Sequence, residues 1–137
     1  MSDFELGGFS SFTVDSPMDL LALMERICTF VLETGTTFAV CDHGSKFAQL
    51  LADADGDLHI ESSAGELAVE ANLGFDDFVP EFDFIARGFL PAAWPGRQKM
   101  AAEVLTRTLV DVHRVNFPVE INVFTDRSAD APEETDG

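Results

Sequence analysis

The stretch Thr36–Ser62, TTFAVCDHGSKFAQLLADADGDLHIES, decides the fold. It breaks into three short runs, Thr36–Asp42, Lys46–Asp53 and Asp57–Ser62, separated by His43-Gly44 and Asp55-Gly56. X-Gly pairs between such runs mark two-residue hairpin turns in which glycine takes the positive φ, and Asp-Gly is the stronger signal of the two. Read as two-residue loops, they set Val40 opposite Phe47, Phe38 opposite Gln49 and Leu51 opposite Ile60. Phe38, Val40, Phe47, Leu51, Leu58 and Ile60 then share one face, the expected core face, with Gln49 as its polar intruder. The opposite face collects Ala39, Cys41, Lys46, Ala48, Leu50, Ala52, His59 and Glu61, a shallow and mixed set. The expected unit is an antiparallel meander.

A helix precedes it. Ser16-Pro17-Met18-Asp19 supplies an N-cap hydroxyl, a proline at the first helical position and a carboxylate in the first turn, and Gly35 supplies the stop. Leu20, Leu23, Met24, Ile27, Phe30 and Val31 form an apolar arc wider than one packing face requires. Such an arc fits a helix sandwiched in the core; Leu23, Ile27 and Phe30 are also the positions through which it would meet a second subunit or partner. Downstream, Glu66–Leu73 reads as a short helix ended by Gly74, Asp76–Pro80 as a turn and Glu81–Leu90 as a strand. Gly96–His113 reads as a second long helix, with Ala101, Val104, Leu105, Thr108, Leu109 and Val112 at helical period. Phe117–Phe124 reads as a last strand with Val119, Ile121 and Val123 inward, and Pro118 favours an edge position. Trp94, between Ala93 and Pro95, either caps the core or stands exposed.

The order α-β-β-β-α-β-α-β describes an α+β domain: a mostly antiparallel sheet with two long helices and one short one. Its expected span is residues 15–125. Residues 1–14, with Phe4, Phe9 and Phe12 among Gly and Ser, lack a clean period and read as an N-terminal arm. Residues 126–137 read as an acidic, disordered tail.

The 137 residues suit one domain with one core, and the 46% apolar content is ordinary. The charge is not: 25 acidic against 8 basic residues give a formal −17. Phosphate backbones and anionic lipid surfaces are therefore poor partners. No apolar run approaches the ~18 residues of a membrane span, no secretory leader opens the chain, and two cysteines are too few for a disulfide scaffold; the cytoplasm is the expected location.

Motifs for chemistry are absent. The run Asp53-Ala54-Asp55-Gly56-Asp57 departs from a calcium loop, which needs Gly at its sixth position and Glu at its twelfth; here Gly56 is fourth and Ala64 twelfth. His59 and Glu61 share a strand face, but zinc normally takes three or four protein ligands and no HxH or CxxC lies nearby. Cys41-Asp42-His43 straddles a turn entry without an orienting third group. No GxGxxG, P-loop, GxSxG or HExxH occurs. The expectation is no catalytic residue, no metal and no cofactor.

Lys46-Phe47-Ala48-Gln49-Leu50 leading into Gly56-Asp57-Leu58-His59-Ile60-Glu61 resembles a pattern of the type III secretion chaperone/YbjN superfamily, in its actinobacterial branch of peptide-binding chaperone-like domains (TY-Chap). There an aromatic-x-Gln strand, a glycine turn and a strand ending in Glu follow one another. Leu73-Gly74-Phe75 resembles the close of the family's middle helix, and Thr106–Val112 followed by Phe117-Pro118-Val119 its final helix and strand. The similarity covers about residues 20–125; the Phe-rich Phe78–Trp94 departs from it. It implies a secretion-chaperone-like fold and a non-enzymatic, often dimeric domain that holds an extended partner segment.

From the residues and the resemblance together, the expected client is a basic or amphipathic protein segment; the resemblance allows a homodimer, and the residues leave the oligomeric state open. The expected contact surface is the mixed sheet face of Ala39, Cys41, Ala48, Leu50, Ala52, His59, Glu61 and Ile85, unless one of the protein's own helices covers it. Two other readings stand beside this one: a regulatory subunit that dimerises through the first helix, and a metal-dependent enzyme using His59 and Glu61.

Overall fold

A three-residue turn, rather than the two-residue one read from Asp55-Gly56, fixes the sheet. In the computed structural model, which describes residues 6, 8–44, 46–63, 75–79 and 82–126, the amide of Asp53 donates to the carbonyl of Asp57 (3.1 Å) and that of Gly56 to Asp53 (3.0 Å). Ala54, Asp55 and Gly56 form the loop, and Gly56 takes φ +87°. Asp53 Oδ1 accepts the amides of Asp55 (2.9 Å) and Asp57 (3.1 Å). A type I turn with Asp at its first position and a left-handed Gly at its fourth accounts for this chemistry. The pairing becomes Leu51↔His59 and Leu50↔Ile60, one residue away from Leu51 opposite Ile60.

Between strands β2 (Phe38–Asp42) and β3 (Phe47–Ala52) the loop also lies one residue beyond His43-Gly44. His43 N–H donates to Lys46 O at 3.1 Å, so Val40 faces Gln49 and Phe38 faces Leu51. That displacement moves the register by two residues and preserves the faces. The slip at β4 (Leu58–Ser62) is odd and exchanges them. Ala39, Cys41, Ala48, Leu50, Leu58 and Ile60 therefore make the core face, all buried. Phe38, Val40, Phe47, Gln49, Leu51, His59 and Glu61 lie on the other face, half-buried.

The first helix, α1 (Pro17–Thr34), begins as read: Ser16 accepts from the Asp19 amide and Gly35 closes it in the left-handed region. Leu20, Leu23, Met24, Ile27, Phe30 and Val31 are buried. The second long helix is two pieces. An α-helix, α2 (Arg97–Arg107), passes into a π-helical turn over Thr108–Val112, closed by His113 N–H to Thr108 O at 2.9 Å. Both helices pack on each other, and their apolar faces join the core face of the sheet in one cluster. Leu23, Ile27 and Phe30 are thus committed to packing within the chain, which corrects the expectation that they meet a second subunit.

Strand β5 (Phe75–Val79) occupies the segment read as a turn, and β6 (Phe82–Leu90) follows. The pairing of β5 with β6 is irregular at two places, which explains why it shows no alternation. Strand β7 is Val119–Thr125. The N-terminal residues read as an arm contain a strand, β1 (Phe9–Val14), paired with β7 from Phe9↔Phe124 to Val14↔Val119. It sends Phe12 and Phe9 to opposite faces, so no apolar period is visible. The described residues form an α+β fold: a seven-stranded sheet, β1-β7-β2-β3-β4-β6-β5, with every neighbouring pair antiparallel. Two α-helices are described. The expected short helix Glu66–Leu73 lies outside the described residues, as do residues 127–137 of the expected tail. Strand β7 is interior, and Pro118 precedes it, where its missing amide interrupts no ladder. Trp94 stands exposed in the turn before α2. No described helix is long and apolar enough to cross a membrane.

Truncating the fully buried Ile27 to Ala leaves a cavity beneath both helices and lowers unfolding free energy by about 2–5 kcal/mol. Chemical denaturation measures this, with a midpoint independent of protein concentration if the α1 arc serves only the chain's own core.

Candidate functional site

Placing both helices on one side leaves the outer sheet face to be read on its own. Pairing aligns two rows of side chains across the strands. One runs Phe9, Phe124, Val40, Gln49, Glu61; the next runs Phe38, Leu51, His59, Phe89. Phe9 is 58% exposed, Phe89 46% and Phe124 40%. Phe9 and Phe124 pack with ring centroids 5.0 Å apart, and Phe89 packs on His59 at 5.0 Å. Single exposed apolar residues are unremarkable on a protein surface, but a row of them rimmed by polar groups marks a contact surface. The polar groups here are Ser11, whose hydroxyl donates to Glu120 at 2.6 Å, and Gln49, whose amide donates to Glu61 at 2.6 Å.

Against this arrangement the expected contact surface divides. Ala39, Cys41, Ala48 and Leu50 are buried under the protein's own helices, because the β4 register turns them to the core. Ala52 is partly buried and packs against the same core. His59 and Glu61 remain accessible, on the outer face. Ile85 belongs to β6 and its side chain lies outside the described part of the structure. Phe9, Phe89 and Phe124 were not singled out from sequence; only the paired strands bring them onto one face.

The groups capable of chemistry sit in structural roles. Burial pushes the Cys41 thiol up to about 12 and that of Cys28 higher still, so neither supplies a thiolate at neutral pH. Asp53, Asp55 and Asp57 bring carboxylate oxygens within 4.8 Å of one another. Two of these residues shape the backbone: Asp53 holds its own turn, and Asp57 Oδ1 accepts the Ala92 amide at 2.6 Å. Arg97 Nε donates to Gly56 O at 2.8 Å, fastening the same turn to the start of α2. His59 Nε2 approaches Asp53 Oδ2 at 3.4 Å. Desolvation works to raise the Asp53 carboxyl, but this contact and the two turn amides outweigh it and hold the group below its usual range.

A second polar cluster lies inside. The π-helical turn carries His113 inward, where its Nε2 lies 3.1 Å from Ser62 Oγ and 3.3 Å from Ser63 O. A carbonyl only accepts, so Nε2 bears the proton, and Nδ1 is left to accept from His43 Nε2 at 2.8 Å. Ser62 in turn donates to Ser63 O at 2.6 Å. His113 therefore faces the serine as a donor, the reverse of what nucleophile activation requires. Neither His43 nor His113 was assigned a role from sequence, since nothing in their spacing signals a pair 70 residues apart.

Compared with protein-family models and with curated protein sequences, the chain matches none.

The imidazole pair makes stability depend on pH. Burial first, then the positive charges of a protonated His43 and of Lys46, lowers His113 from the ordinary 6.5 to about 4, against a raising hydrogen bond to Ser63. His43 is also lowered, by burial and Lys46, against Asp42 and its own backbone. The fold prefers neutral rings, so their contribution is whole above pH 6.5 and is lost as pH falls toward 4. His113→Asn should flatten the stability-versus-pH slope in that window by up to about 3 kcal/mol, less whatever solvent screening removes. Urea unfolding of both proteins at several pH values measures the difference, which cancels the carboxylate background.

Proposed function

We propose that this chain is a non-enzymatic, chaperone-like or adaptor domain that holds an extended protein segment on the outer face of its sheet, within a secretion-chaperone-like fold of the YbjN kind. The observation that carries the reading is the exposed trio Phe9, Phe89 and Phe124 on one face of the sheet, with Phe38, Val40 and Leu51 half-buried between them. Burying apolar area at about 25 cal/mol per Å² rewards any chain that covers these rings, and an extended segment presents alternate side chains to such a face. A second copy of the chain is the weaker occupant, because each copy carries −17 and like charge opposes close approach of two such faces.

The accompanying chemistry supports a binding role: the two thiols are buried, Ser62 is oriented away from activation, and Asp53 and Asp57 each spend one carboxylate oxygen on backbone amides. The cytoplasm remains the proposed location, and a basic or amphipathic segment the proposed client.

Fluorescence anisotropy with labelled peptides rich in alternating apolar residues tests the reading. Saturable binding is expected, weakened at least tenfold (about 1.4 kcal/mol) when Phe9, Phe89 and Phe124 are together replaced by Ser. The rings are 40–58% exposed, so the variant loses some stability, and binding is compared below its unfolding midpoint, with circular dichroism showing that both proteins are folded. Absence of saturable binding, or equal binding by the variant, overturns the proposal. Light scattering that shows a dimer dissociated by the same substitutions would instead assign the face to a second copy.

A further inference from the structure

One corner of the outer face differs from the rest. Beside the phenylalanine rows lies an open concavity of about 380 Å³, with Phe38, Leu51 and Ala52 at its apolar part and Thr37, Asp53 and His59 among its polar lining. A second concavity of about 350 Å³ shares Thr37, Ala52 and Asp53 with it and reaches Gly35 at the end of α1. The two adjoin at these shared residues, and each part of this groove has room for a side chain with an aliphatic stem but not for a folded partner.

Three independent sources of negative potential meet there. Asp53 is exposed and has no lysine or arginine partner among the described residues; its ionic contact is His59. Asp126 lies alongside, accepting the Thr37 amide and hydroxyl. The third is α1 itself: its C-terminal end borders the groove, its last turn holds no basic residue, and the unpaired carbonyls of a helix C-terminus amount to roughly half a negative charge. Such an end is ordinarily complemented by a cation; among the described residues its last turn holds none, and Arg97, which borders the second concavity at Gly56, is engaged with the Gly56 carbonyl. The shape and the charge therefore ask for the same thing, methylenes ending in a positive head.

We infer that the groove between Asp53 and the end of α1 seats a lysine or arginine side chain of the extended segment, an inference that rests on the proposed function above. The stem lies over Phe38, Leu51 and Ala52, and the cationic head sits between the Asp53 carboxylate and the C-terminal turn of α1. The neighbouring Phe89 and Phe124 take apolar side chains of the same segment. The client is thereby specified as an extended segment carrying a basic residue flanked by apolar ones. An acidic segment, or a second copy of this chain, meets repulsion at the same place.

The test uses the full chain and labelled peptides of alternating valine and threonine whose central residue is Lys, norleucine or Glu. The Lys peptide is expected to bind about fivefold more tightly than the norleucine peptide, the Glu peptide more weakly than either, and the preference should shrink as salt is raised. Asp53→Asn keeps an oxygen to accept the Asp55 and Asp57 amides, so the turn survives; it should reduce the Lys preference to about twofold or less, Asp126 and the end of α1 remaining, while leaving norleucine affinity unchanged. Glu120→Gln, on the same face outside the groove, should leave the preference intact. Equal binding of the Lys and norleucine peptides, or loss of the preference in both variants alike, overturns the groove while the binding face stands. Failure of all three peptides to bind removes the face and the groove together.

Discussion

A single carboxylate decides which side of this sheet faces water. Asp53 Oδ1 gathers the amides of Asp55 and Asp57, and this lets three residues, not two, cross from β3 to β4. An odd change in loop length reverses every side chain of the following strand. With Asp53 in this role, Leu58 and Ile60 join Ala48 and Leu50 beneath the helices, and His59 is delivered to the outer face beside Phe89. A two-residue loop would have put His59 and Glu61 in the core, at the cost of burying two ionisable groups. Arg97 and Asp57 then tie the turn to the entry of α2, so the helix layer and the sheet register hold each other in place.

The consequence is that both described helices cover the same side of the sheet. Small residues at Ala39, Cys41 and Ala48 let α1 and α2 approach the sheet closely, and the larger rings, Phe38, Phe47, Phe89 and Phe124, are displaced to the other side. A neutral protein with such a face would tend to stick to itself. The formal charge of −17 offers a physical remedy, since repulsion between copies grows with the square of the charge while the attraction of a cationic segment grows only linearly. Acidity and exposed aromatics, each unremarkable alone, are together compatible with the proposed binding of a cationic segment.

Much of this was legible in the sequence where the signal is local. Ser16, Pro17, Asp19 and Gly35 bound α1 within a residue, because capping depends on neighbours in the chain. The meander was legible too, and so was the α+β class. Its faces were not, and the reason is specific: Asp55-Gly56 suits a two-residue turn, but Asp53-Ala54-Asp55-Gly56 equally places Asp at the first and Gly at the fourth position of a type I turn. The apolar pattern did not arbitrate, because Leu50 and Leu51 stand on opposite faces. The edge strands β1 and β5 escaped for another reason. Edge strands carry fewer buried side chains, and β1 divides its two phenylalanines between faces, so periodicity vanishes where pairing partners decide the structure. The π-helical turn likewise depends on what His113 finds in the core, two serines from β4 and its following bend and a second histidine from the β2–β3 turn.

What remains after internal duties are assigned is informative about role. Cys28 and Cys41 fill the core. Ser62, Ser63, His43 and His113 satisfy one another in a buried network, which suits a low-dielectric interior only when every member is paired. Asp53 and Asp57 bind backbone amides. The described histidine–serine cluster and the carboxylates of Asp53 and Asp57 thus have structural partners, and both thiols are buried. Phe9, Phe89 and Phe124 have only partial cover, from ring neighbours on the same face, and retain 40–58% exposure. Aromatic side chains suit strands, and the Phe9–Phe124 pair supports the contact between β1 and β7, yet each ring keeps apolar area in water that burial would turn into stabilisation. The surface they share is the apolar part of the sheet that the described helices leave uncovered, and the proposed binding role rests on it.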